Sequence, residues 1–193
     1  MPGESPADTF AEAQAAVASG DWEGFFGCLE RRSLLTMARN ALALALEGGV
    51  EHMPEHPALE GAFHGADPWA TRWLSRQQEI LESAQNLMKT TSTEPAMMEE
   101  SLRHRDLVQA DEAETKAALE AVEDLPGLLS ALERHTRRTL GGGSVSSEIF
   151  VGETLEEVTE TGNRARGVRR TERGYEDRVD FVKRKGRWFI RLG

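Results

Sequence analysis

The chain has 193 residues, 39% hydrophobic and 29% charged, with a formal net charge of −10 at pH 7. These proportions are ordinary for a soluble globular protein, and the length suits one domain or one domain carrying an insertion. The longest apolar run, Ala41 to Leu46, is far too short to span a bilayer, and the single cysteine, Cys28, excludes an intramolecular disulfide.

Ser5-Pro6-Ala7-Asp8 predicts a helix start: a capping hydroxyl, proline at the first helical position and an acidic residue in the first turn. The helix runs to Ser19 and stops at Gly20. Asp21 caps a second helix whose Trp22, Phe25, Phe26 and Leu29 form one apolar face. Ser33 restarts or bends it, and Leu34 to Leu46 continues helical up to Gly48-Gly49. From Val50 to Ala66 prolines and glycines interrupt the pattern, which predicts a loop. Asp67-Pro68 opens a helix with Trp69, Trp73, Ile80, Leu81, Ala84, Leu87 and Met88 on a stripe, ending at Thr90 to Thr93. A shorter helix follows from Glu94-Pro95, then an acidic one over Asp111–Glu123 and another over Pro126–Arg138.

After Gly141-Gly142-Gly143-Ser144 the period changes from helical to alternating. Ser147–Thr159, Arg164–Arg170, Tyr175–Arg184 and Arg187–Leu192 read as strands, separated by Thr161-Gly162, Arg173-Gly174 and Lys185-Gly186. Short turns imply an antiparallel meander, and helices first with strands last predict an α+β fold, N-terminal helices on a curved C-terminal sheet. With Lys185-Gly186 as a two-residue loop, Lys183 opposes Trp188, Phe181 opposes Ile190 and Val179 opposes Leu192 on one face. On the other face Val182 opposes Phe189, and Asp180 opposes Arg191 as an opposite-charge pair. A one-residue slip would destroy this arrangement.

Charge divides along the chain. Asn163 to Gly193 holds eleven basic and four acidic residues, a net +7, whereas Met1 to Gly162 holds twelve and 29, a net −17. Such asymmetry is explained either by an anionic partner or by neutralisation within the fold.

Gly20-Asp21-Trp22 ahead of Phe25-Phe26, together with the closing Phe181-Val182-Lys183 and Gly186-Arg187-Trp188, resembles the nuclear-transport-factor-2-like superfamily. That likeness covers Ser5 to Gly48 and Pro126 to Leu192. It implies one cone-like domain over residues 1–193, with residues 49–125 as a helical insertion where the family places its early strands. It also implies a cavity between helices and sheet, lined by Trp22, Phe26, Phe181 and Trp188, in a family that is catalytic in some branches and purely binding in others.

Candidate chemistry is sparse. His52 and His56 are four residues apart, but Pro54 and Pro57 interrupt a helix and no third ligand is near, so no metal or cofactor is expected. Cys28 as a nucleophile would need His64, His104 or His135 in space; beside the Trp22–Phe26 stripe it reads as core. Gly141 to Ser144 lacks the lysine and following helix of a phosphate loop. Asp177 or Asp180 as a general base is countered, for Asp180, by its pairing with Arg191. Arg164, Arg166, Arg169, Arg170, Arg173 and Arg178 lack interleaved aromatics apart from Tyr175, so nucleic acid is not an expected partner; with no apolar run long enough to span a bilayer, a membrane is not one either.

The resulting expectation is a non-enzymatic binding or interaction module with no catalytic residues. Its partner is a protein, a second copy or a small ligand, and Val182, Phe189 and Arg191 form the partner-facing sheet. The alternative is an isomerase- or cyclase-type enzyme working in the cavity. With no positively charged start followed by an apolar core, the expected location is cytoplasmic, although a removed export signal fits the same residues.

Overall fold

Helices come first, the last ending at Leu140, and an antiparallel sheet follows from Thr154 to Arg191, in a computed structural model that describes residues 3–46, 53–64, 68–89 and 94–192. The fold is α+β, as the change of period predicts. The chain forms two compact units: residues 1–54 with 124–193, and residues 55–123.

The first unit begins with α1 (Pro6–Ser19), where Ser5 and Asp8 form a reciprocal capping box and Gly20 closes the helix at φ 73°. Asp21 then caps the short α2 (Trp22–Gly27) by accepting from the Gly24 N–H at 3.0 Å. Next come α3 (Arg31–Leu46) and α7 (Leu125–Leu140), the latter capped by Asp124 on the Gly127 N–H at 2.9 Å. α7 is the most deeply buried of these, packing on both α2 and α3. α1 packs on α2 and on the sheet.

The sheet runs β1 (Thr154–Thr161), β2 (Arg164–Arg170), β3 (Glu176–Arg184) and β4 (Arg187–Arg191), each antiparallel to the next. The closing hairpin has the register read from its turn: Phe181 opposes Ile190, Val182 opposes Phe189 and Lys183 opposes Trp188. Lys185 and Gly186 take φ 49° and 83°, the two positive values a two-residue hairpin turn needs to match strand twist. A bulge in β1 shifts the pairing between Glu156 and Thr159, with Glu157 at φ 53°, and bulges of this kind curve a sheet. Opposite it stands Gly167, where a Cβ would approach the Leu155 side chain to 2.7 Å.

The free edge of β4 is closed by chain from the helical half. The Trp188 N–H donates to the Gly3 carbonyl and the Trp188 carbonyl accepts from the Thr9 hydroxyl. The Ile190 N–H donates to Cys28 and its carbonyl accepts from the Glu30 N–H, both at 2.8 Å. Ser33 Oγ exchanges hydrogen bonds with both backbone groups of Leu192. Every edge-facing backbone group from Trp188 to Leu192 is thereby satisfied, which protects this edge from pairing with another strand.

Three elements differ from the sequence reading. The first strand starts at Thr154 rather than Ser147, because residues 146–153 fold into consecutive turns with Phe150 and Gly152 at φ 65° and 71°. The side chain of Phe150 is thereby buried against Phe10 and Phe25, at centroid distances of 5.0 and 6.2 Å. Within the predicted loop, Pro57–His64 is a helix, α4: proline begins it, and the His56 carbonyl accepts from Leu59 and Glu60. The two helices predicted after Thr93 are one, α6 (Glu94–Glu120), because Pro95 lies in its first turn and interrupts nothing.

The second unit consists of α4, α5 (Trp69–Lys89) and α6. α5 and α6 pair antiparallel, with Arg72 and Arg76 both on Glu114 and Ser83 on Glu100.

Candidate functional site

Alternation sorts the sheet residues onto two faces. Ala165, Val179, Phe181, Trp188 and Ile190 share one face, all 5% exposed or less, and this face carries the core. The same interior holds Phe10, Phe25, Phe26 and Phe150 in ring contact with one another. On the opposite face the β2 positions are Arg164, Arg166, Val168 and Arg170, and the β3 positions Glu176, Arg178, Asp180, Val182 and Arg184. This outer face bears an open cleft of about 590 Å³, bordered by Thr159 and Thr161, by Arg164, Arg166, Arg178 and Arg191, and by Glu157 and Asp180, with Val168 among its lining.

Most of the arginines there are neutralised in a row of ion pairs. Arg170 bonds Glu156 at 2.9 Å and also holds Glu176. Asp180 takes Arg178 at 2.8 Å and Arg166 at 3.3 Å. At the β4 side Glu30 receives Arg191 at 2.6 Å and Arg184 at 3.4 Å. The hydrogen bond from Arg191 holds the Glu30 carboxyl below its ordinary value despite partial burial, and raises the Arg191 guanidinium in turn. Arg191 thus faces Asp180 in the backbone register but bonds Glu30, which corrects the expected Asp180–Arg191 pair: Asp180 is already bound by two guanidinium groups from β2 and its own strand.

The cavity-lining set named from sequence is buried, with Phe181 alone bordering the cleft. Trp22 is 7% exposed, in edge contact with Phe25 and under the Arg137 guanidinium at 4.1 Å. Phe26 packs on Phe25, and Trp188 lies beneath the Lys183 ammonium at 5.3 Å. Of the partner-facing set, Val182 is 3% exposed, Phe189 is half-buried, and Arg191 borders the cleft.

The other candidates have structural partners. Asp177 is on the core-facing side, where Arg169 bonds it at 2.6 Å and holds its carboxyl below the ordinary value. Cys28 is 1% exposed, its thiol donating to the Gly24 carbonyl, and burial pushes it up to about 11, far from the thiolate a nucleophile requires. His56 Nδ1 accepts from the Ala58 N–H at the start of α4, and His52 lies outside the described residues. Among the described residues no three His, Cys, Asp or Glu are grouped to hold a metal ion, and no helix is long and apolar enough to cross a membrane.

Sequence reasoning missed Glu30, Thr159 and Thr161. The alternation Arg164-Ala165-Arg166-Gly167-Val168 did carry the signal that Arg164 and Arg166 share a face. No protein-family model, curated protein or solved structure matches this chain.

Proposed function

We propose that this chain is a non-catalytic binding module that works through the outer face of its sheet. The observation that carries this reading is the division between the two faces. One side of the sheet is filled with interlocking aromatic rings; the other bears an open cleft bordered by four arginines, two threonines, Asp180 and Glu157. A general base for isomerase chemistry is best placed in a closed apolar cavity that raises its pKa. The cleft's Asp180 instead accepts from two guanidinium groups, an arrangement suited to holding charge at a surface. The resemblance to the nuclear-transport-factor-2-like superfamily belongs to the same proposal. It is supported by the Asp21-capped helix, the closing hairpin and the helices-then-meander order.

Thermal-shift screening of a chemically mixed set of small molecules and peptides, with mass spectrometry of the recovered compounds, tests the reading. Stabilising compounds should be recovered unchanged. Turnover of any of them would favour the enzymatic alternative.

A further inference from the structure

The outer face is not uniformly neutralised. Arg170, Arg178, Arg184 and Arg191 each hold a carboxylate. At the β1–β2 end the pattern stops. The Arg164 side chain has no hydrogen-bond or ion-pair partner among the described residues, and among them Arg166 reaches Asp180 through Nε alone, its terminal nitrogens unused. Directly across the backbone register stand two threonines: Thr161 opposite Arg164 and Thr159 opposite Arg166. Both threonines border the cleft, and neither hydroxyl has a hydrogen-bond partner among the described residues.

Two guanidinium forks and two hydroxyls on adjacent rows of one face form a corner rich in donors. Same-face neighbours along a strand are about 7 Å apart, so both rows lie within reach of one small polyoxygen group. Guanidinium groups match the planar or tetrahedral oxygens of carboxylate and phosphate with paired hydrogen bonds. The acidic residues of the cleft, Asp180 and Glu157, favour an anionic head that is small and confined to the arginine–threonine corner. They would repel an extended polyanion.

We infer that Thr159, Thr161, Arg164 and Arg166 form a recognition subsite for the oxyanion group, carboxylate or phosphate, of a small molecule. This rests on the outer face being the binding surface and names the class of ligand it takes.

The test is a titration of the full chain with sodium pyrophosphate and, separately, sodium citrate, followed by calorimetry and by NMR of backbone amides and arginine Nε–H groups. Saturable binding is expected, with the largest shifts at Thr159, Thr161, Arg164 and Arg166. The stronger of the two anions distinguishes a phosphate from a carboxylate site. Arg164→Gln should weaken binding about tenfold or more. Arg173→Gln removes the same charge from the exposed β2–β3 turn and should change it less than about twofold. Matching melting temperatures would establish that both variants fold. Equal losses in the two variants would show general charge attraction and overturn the subsite, as would no saturation with either anion up to about 10 mM, an affinity too weak for a specific site. If neutral or cationic molecules bind the cleft while both anions fail, the ligand class is wrong and the binding surface stands. If nothing binds this face, both fall.

Discussion

Glu30 and Arg191 are 161 residues apart in sequence and joined by two hydrogen bonds, at 2.6 and 3.1 Å. The contact fastens the segment entering α3 to the last strand beside the backbone bonds that Ile190 makes with Cys28 and Glu30. The Glu30 side chain is 9% exposed, so solvent screens the pair less than an ordinary surface ion pair.

Glu30→Gln should therefore destabilise the protein by about 1.5–3 kcal/mol at pH 7, the usual range for a hydrogen bond to a charged partner. Folding lowers the Glu30 pKa from its ordinary 4.5. Its contribution is fully present above that value and is lost as pH falls through the lower, folded value. Urea melts across pH 7 to 2 should show the variant and the parent converging at the acid end. A constant gap between them would disprove the assignment.

Trp188 is 1% exposed, and its backbone is held by Gly3 and Thr9. Trp188→Ala should cost about 3–5 kcal/mol through the cavity it leaves. Arg187→Ala, one residue earlier and exposed, should cost within about 0.5 kcal/mol. Equal urea midpoints for the two variants would mean that the hairpin does not hold the sheet to the helices.

The hairpin was legible because everything that fixes it is local. Lys185-Gly186 supplies the turn, and strict alternation from Val179 to Arg191 leaves only one register with an apolar face. The Glu30–Arg191 contact was not legible, because Asp180, opposite Arg191, offers the same chemistry at far shorter sequence separation. The choice depends on which guanidinium groups reach Asp180 first in space, and they come from Arg166 and Arg178. The openness of Arg164 was hidden for the same reason. Six arginines in fifteen residues of sequence do not reveal which of them lack a carboxylate once the strands are paired. At Phe150 a residue with strand propensity is drawn into a turn because its ring completes the Phe10–Phe25 cluster, a tertiary preference overriding a local one.

Glu133 is fully buried in α7, where Arg137 bonds it at 2.6 Å and the Ser144 N–H and hydroxyl at 2.8 and 2.6 Å. It ties the glycine-rich segment 141–144 back onto the helix. Glu133→Ala leaves Arg137 without its carboxylate and should cost about 3–5 kcal/mol. Limited proteolysis should then cut first within residues 141–146. A variant as stable and as resistant as the parent would contradict this role.

The Cys28 thiol, raised to about 11 by burial, should remain protonated in the native state at pH 8. Labelling by a thiol-specific chromogenic reagent should be at least about 100-fold slower than in urea-unfolded protein, since it requires an opening event. Labelling at the unfolded rate would place the thiol at the surface.

The measurement closest to the central claim is a map of backbone-amide shifts as compounds from the thermal-shift screen are added. A binding module that works through the outer face predicts perturbations gathered at Thr159, Thr161, Arg164, Arg166, Arg178 and Arg191, with the compounds unchanged. Perturbations centred on Trp22, Phe26 and Trp188, or conversion of a compound to product, would contradict it.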